Sequence, residues 1–185
     1  MKKLEINIDT GLLNDVLFIP SPNFDERPLL GLIDLLIIHG ISLPPGKFGG
    51  NAIVELFTNT LDPKVDPYFA DVANLKVASH LLIRRTGEII QFVPFNKRAW
   101  HAGVSEFQGR SNCNDFSIGI ELEGTDEIPY EDIQYQQLAE VTRCLMQTYP
   151  AITKERIVGH SDVAPGRKTD PGVVFDWKRL YNSLD

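Results

Sequence analysis

The chain has little cysteine: Cys113 and Cys144 are its two among 185 residues, and no C-x-x-C pair occurs. That usage supports neither a disulfide framework nor a thiolate zinc site, and it fits reduced thiols in a cytoplasm. Long apolar runs are missing too. None exceeds four residues, as at 35–38, whereas a helix needs about 20 to span a bilayer. The N-terminal MKKLEINID offers neither an apolar stretch nor a small-residue cleavage site, so no signal peptide is expected. Positive charge is in short supply, with 18 Lys and Arg against 25 Asp and Glu for a net of -7. An acidic surface argues against nucleic acid, membrane or an anionic wall polymer as partner. There is no HExxH or other self-contained metal motif, no internal repeat and no low-complexity tract.

What is present is an ordinary globular composition, 43% hydrophobic and 23% charged, in a length suited to one domain over 1–185 with a substantial core. Residues 1–30 read as irregular, with a first strand over 4–8 and prolines at 20, 22 and 28. DLLIIH (34–39) is an apolar run closed by Gly40, the pattern of a strand buried on both faces that ends at His39. The loop SLPPGKFGG follows, then a helix capped by Asn51 and running to about 58, and a short helix over 69–74. Segments 77–84 and 88–93 alternate around Thr86-Gly87 as a β-hairpin. SIGIELEG is a strand with Ile118, Ile120 and Leu122 on one face and Gly119, Glu121 and Glu123 on the other. A helix over 130–146, a helical turn over 153–156, the strand IVGH ending at His160, and a closing helix over 176–184 complete the chain. Interspersed strands and helices predict an α/β (α+β) fold with a central mixed sheet flanked by helices.

The chemistry is densest in GHSDVAPGRKTDPGVVFDW (159–177), where Pro165-Gly166 turns the chain so that Lys168 and Asp170 return beside His160. Zinc takes imidazole nitrogen and carboxylate oxygen, and a catalytic site keeps a fourth position open for water. His39 and His160, each at a strand end, supply two ligands. Spacing leaves the third open among Asp162, Asp170, His80 and His101. His80, opening the HLLIR strand, reads more readily as a hydrogen-bonded structural histidine. His101 follows Trp100 in a loop and reads as a wall of the substrate pocket. Glu121, among apolar neighbours, has the setting of a general base with raised pKa. Glu123 is its plainer competitor, with Gly124 marking a strand end facing solvent. Lys168 is a solvated cation or an oxyanion stabiliser.

IIHGISLPPGKFGG, HLLIRRTGEIIQFVPFNKRAWHAGVS, CNDFSIGIELEGTD, PYEDIQYQQLAEVTR and GHSDVAPGRKTDPG occur in an order that resembles the AmpD-type N-acetylmuramoyl-L-alanine amidases. These are zinc enzymes of bacterial cell-wall recycling that share a fold with T7-type lysozymes and peptidoglycan recognition proteins. The resemblance implies His39, His160 and Asp170 as zinc ligands, Glu121 as catalytic base and Lys168 as the cation stabilising the transition state. It implies Trp100, Tyr68, His101 and Gly40 as substrate contacts, with the 44–50 loop nearby. Gly40 stands where relatives often carry asparagine, and arginines of relatives near Lys76 and Asn112 are unmatched. The implied partner is an anhydromuropeptide, cut by a cytoplasmic monomer between the lactyl group and L-alanine. A muropeptide-binding module without turnover and an amidase of intact wall are the alternatives.

Overall fold

The computed structural model describes residues 3–28 and 32–185; of the irregular segment expected over 1–30, residues 1, 2, 29 and 30 lie outside the described residues, as does residue 31. The strands are β1 (Ile6–Asn7), β2 (Leu12–Leu13), β3 (Leu17–Phe18), β4 (Phe24–Glu26), β5 (Leu35–Ile41), β6 (Leu81–Ile83), β7 (Ile89–Gln91), β8 (Lys97–Ala99), β9 (Glu106–Phe107), β10 (Arg110–Ser111), β11 (Ser117–Glu123) and β12 (Ile157–Gly159). The helices are α1 (Ala52–Phe57), α2 (Pro67–Val72), α3 (Asp132–Thr148), α4 (His160–Val163) and α5 (Trp177–Ser183). Six strands form the central sheet in the order β12-β5-β11-β6-β7-β3, parallel throughout except for the antiparallel β6/β7 pair. This is the mixed sheet with flanking helices expected from the sequence.

Alternation along β5 and β11 divides the sheet into two faces. Leu36, Ile38, Ile118, Ile120 and Leu122 pack with Leu138, Val141 and Leu145 of α3 in the main core. Helix α3 is held at its start by a capping box between Glu131 and Gln134. The Gln134 amide also donates to the carbonyls of Ile83 and Glu123, closing the ends of β6 and β11. Over β6 and β7, a second cluster gathers Phe57, Phe69, Leu82, Phe92 and Val93 beneath α1 and α2.

Several boundaries differ from the sequence reading for local reasons. Strand β5 continues through Gly40 to Ile41, because β11 pairs with it over seven residues from Ser117↔Leu35 to Glu123↔Ile41. The hairpin strands are shorter than expected. Phe92 and Val93 both direct their N–H groups at the His80 carbonyl, so two residues face one and regular pairing stops there. The turn between them carries Gly87 at φ +84°, as the Thr86-Gly87 pair requires. Asn51 stands at the start of α1 without a side-chain cap bond, whereas Asp66 caps α2 by accepting from the Tyr68 N–H. His160 opens α4 rather than ending β12.

Candidate metal centre and cleft

Parallel pairing of β5 with β11 sets His39 opposite Glu121, and because paired residues share a face, both project away from α3. Strand β12 lies on the other side of β5 with Gly159 opposite Ile38, so the next residue, His160, arrives beside His39. The Asp162 carboxylate accepts from the Gly159 N–H and fixes this turn into α4. Past Pro165-Gly166, the Ala164 carbonyl accepts from the N–H groups of Arg167 and Lys168, and Asp170 O accepts from Ser161 N–H at 3.0 Å. The loop therefore folds back as its turn residues imply.

Three donor atoms converge as a result. His39 Nδ1 lies 3.0 Å from His160 Nδ1 and 3.3 Å from Asp170 Oδ2, and His160 Nδ1 lies 3.1 Å from that oxygen. His160 Nε2 sits 3.1 Å from the Ala102 carbonyl. A carbonyl only accepts, so Nε2 carries a proton, and the neutral form of the ring presents its Nδ1 lone pair to the cluster. Burial lowers the His39 pKa to about 4, leaving that ring neutral near pH 7 with a lone pair of its own. Two imidazole lone pairs and a carboxylate oxygen aimed at one point repel one another unless a cation lies between them. The N, N, O donor set suits zinc.

Of the alternatives left by spacing, Asp162 and His80 stand apart. The Asp162 carboxylate is spent on Gly159, and His80 is fully buried with Nδ1 accepting from the Gly119 N–H and Nε2 3.1 Å from the Lys97 carbonyl. Glu121 places Oε1 4.0 Å from His39 Nδ1, while its Oε2 is buried with no hydrogen-bond partner. Burial, reinforced by the Asp170 charge, pushes the Glu121 pKa well above the carboxylate range, against the pull of Lys168. Such a group accepts a proton readily.

The cluster opens into a cleft of about 650 Å³. Gly40, Tyr68, Trp100, His101, Glu121, His160, Lys168 and Asp170 all line it, and His39, 1% exposed, lies beneath its floor. Lys168 is exposed, and its ammonium makes no hydrogen bond or ion pair among the described residues. Gly40 contributes backbone alone. A Cβ there would come within 2.3 Å of the Tyr130 hydroxyl, which crosses the space to donate to Pro171 O at 2.9 Å. Tyr130 thus braces the Asp170-Pro171 segment from the α3 side. Sequence reasoning passed over this residue, although glycine inside a strand pattern is the signal of such a close approach.

Glu123 does not face solvent as expected. It is 2% exposed, and its carboxylate accepts from Gly49 N–H at 2.6 Å and Arg85 N–H at 3.1 Å, tying the loop after β5 to the hairpin turn. The one-residue step to Gly124 misled because the loop folds back over the strand end.

Comparison with known proteins places these features in context. Residues 30–173 match the family model described as N-acetylmuramoyl-L-alanine amidase. The chain is 59% identical over 173 residues to the 1,6-anhydro-N-acetylmuramyl-L-alanine amidase AmpD of Escherichia coli strain K12, with 94% of each chain covered. It superimposes on the crystal structure of a selenomethionine AmpD derivative with a TM-score of 0.93 at 58% identity, covering 96% of this chain and 98% of that one. A more distant likeness, TM-score 0.59 at 29% identity, is to the E. coli amidase AmiD in complex with its substrate anhydro-N-acetylmuramic acid-L-Ala-D-gamma-Glu-L-Lys, covering 99% of this chain and 66% of that one.

Proposed function

Since this chain belongs to the N-acetylmuramoyl-L-alanine amidase family, we propose that it hydrolyses the amide joining the lactyl group of 1,6-anhydro-N-acetylmuramic acid to the L-alanine of its peptide, with zinc held by His39, His160 and Asp170. The observation that carries this reading is the convergence of those three donors beside Glu121, whose buried Oε2 has no hydrogen-bond partner, at the base of a cleft. The names borne by the E. coli AmpD relative and by the AmiD substrate complex support the anhydro sugar.

When bound, zinc supplies Lewis acidity toward the scissile carbonyl and toward a water molecule. Glu121 takes the proton of the attacking water as its oxygen bonds to the lactyl carbonyl carbon, and delivers it to the alanine nitrogen as the C–N bond breaks. The products are a lactyl carboxylate and a free peptide amine. Lys168, at the cleft wall with no ion pair among the described residues, offsets the negative charge that develops on the carbonyl oxygen. Trp100 and Tyr68 offer aromatic surface to the sugar and peptide, and the backbone at Gly40 borders the reacting amide. A cytoplasmic setting in wall recycling fits its two free cysteines and acidic balance. No helix of the described residues is long and apolar enough to cross a membrane.

The test is turnover of purified protein on an anhydromuropeptide and on intact peptidoglycan, before and after chelation, with products resolved by mass. Release of free peptide from the anhydromuropeptide, lost on chelation and restored by zinc, is expected. Cleavage of intact wall alone would overturn the recycling role, and cleavage surviving complete metal removal would overturn the mechanism.

A further inference from the structure

His101 was expected from sequence to be a wall of the substrate pocket. In the structure it borders the cleft, yet both of its ring nitrogens point into the protein. Nδ1 lies 2.9 Å from His39 Nε2, and Nε2 lies 3.2 Å from the hydroxyl of the fully buried Ser117. The ring occupies space that β11 leaves open for it: a Cβ at Gly119 would come within 2.4 Å of His101 Nδ1. Its backbone is fixed as well. The Asn114 side-chain oxygen accepts from the N–H groups of His101 at 3.2 Å and of Ala102 at 2.8 Å. The Ala102 carbonyl in turn receives His160 Nε2 at 3.1 Å and Arg167 Nη2 at 2.6 Å. Two consecutive residues therefore stand behind two histidines whose Nδ1 atoms face the same point.

We infer that His101 is a positioning residue for the metal centre, accepting the His39 Nε2 proton so that His39 Nδ1 is left bare toward the metal, while Ala102 O does the same for His160. This rests on the zinc reading above. The proton assignments follow in sequence. Donation from His39 Nε2 requires a bare Nδ1 on His101, so the His101 proton sits on Nε2 and is donated to Ser117 Oγ. Donation then runs from His39 Nε2 to His101 Nδ1 and from His101 Nε2 to Ser117 Oγ. A carbonyl or imidazole partner behind a ligating histidine sets both its tautomer and its ring orientation, and removing one typically costs about 10- to 100-fold in metal affinity.

The experiment compares zinc affinity, by competition with a chromophoric chelator, in the wild type, His101→Asn and His101→Leu, together with KM for the anhydromuropeptide at saturating zinc. The Asn side-chain oxygen branches from Cγ as Nδ1 does, so it keeps an acceptor at that place, and Leu keeps bulk but no acceptor. Expected is a loss of about 10- to 100-fold in zinc affinity for His101→Leu, near wild-type affinity for His101→Asn, and KM within about twofold for both. Unchanged zinc affinity in the Leu variant with a raised KM would overturn the inference in favour of a direct substrate contact. Equal losses in both variants would overturn it in favour of simple packing. If His101→Leu does not fold, Ser117→Ala takes its place, with zinc affinity falling about fivefold through loss of one hydrogen bond behind His101; an unchanged value overturns the inference. A wild type that binds no zinc would overturn the zinc reading itself, an outcome distinct from wild-type binding that is indifferent to residue 101.

Discussion

The two faces of β5 and β11 are built from alternate residues of the same two strands, yet they follow opposite rules. The face toward α3 is aliphatic, with Leu36, Ile38, Ile118, Ile120 and Leu122 all fully buried. On the other face, apolar Leu35 and Ile37 give way within one step to His39, and Ser117 and Gly119 lead to Glu121. The aliphatic face stabilises the fold by removing apolar surface from water. The other face carries a neutral histidine, a carboxylate with an orphaned oxygen, and a glycine that makes room for a third ring. A buried ionisable group without a full set of partners costs stability. Strand alternation thus lets one short stretch supply stability and reactivity without mixing the two.

The sharpest way to break this comparison is to change Glu121. Glu121→Gln is expected to lower turnover by about 100- to 10,000-fold, measured as kcat on the anhydromuropeptide, while zinc stays bound. The same change is expected to stabilise the zinc-free protein at neutral pH. With its folded pKa raised above the unfolded value, Glu121 favours the fold fully below the unfolded pKa, and that contribution is lost as pH rises through the folded pKa. The melting-temperature advantage of the Gln variant therefore opens on going to alkaline pH and closes below about pH 4, where both side chains are neutral. A variant less stable than the wild type at every pH would show that the carboxylate is paired after all.

Lys168→Ala is expected to cost about 100- to 1,000-fold in kcat. Zinc affinity and melting temperature should hold, because its exposed ammonium makes no hydrogen bond or ion pair among the described residues. Leu138→Ala probes the opposite face. It should destabilise the protein by about 2–5 kcal/mol in denaturant unfolding, since Leu138 is fully buried against the aliphatic rows of the sheet. The kcat of the folded fraction should stay within about twofold. A large fall in kcat there would mean that the two faces are coupled through the strands rather than independent.

Much of the architecture was legible beforehand because it depends on local pattern. SIGIELEG alternates as a strand must, and β11 spans Ser117–Glu123, one residue short of it. The spacing of Leu138, Val141 and Leu145 foretold α3, and Thr86-Gly87 foretold the tight turn. Errors arose where a distant partner decided. Gly40 looked like a strand terminator but lies inside β5, because β11 pairs past it and the Tyr130 hydroxyl fills the space of its missing side chain. Glu123 looked solvent-facing but is buried under the 42–50 loop.

By itself the sequence determined which residues alternate, where the chain turns, and that His39, His160 and a carboxylate-rich loop were available for metal chemistry. Only the tertiary structure decided that Asp170, rather than Asp162, His80 or His101, lies against both histidines, and that His101 stands behind one of them. The physical reason is range. Strand and turn patterns are set by neighbours in the chain, whereas His39 meets His160 across 121 residues and His101 across 62, separations on which side-chain spacing carries no information.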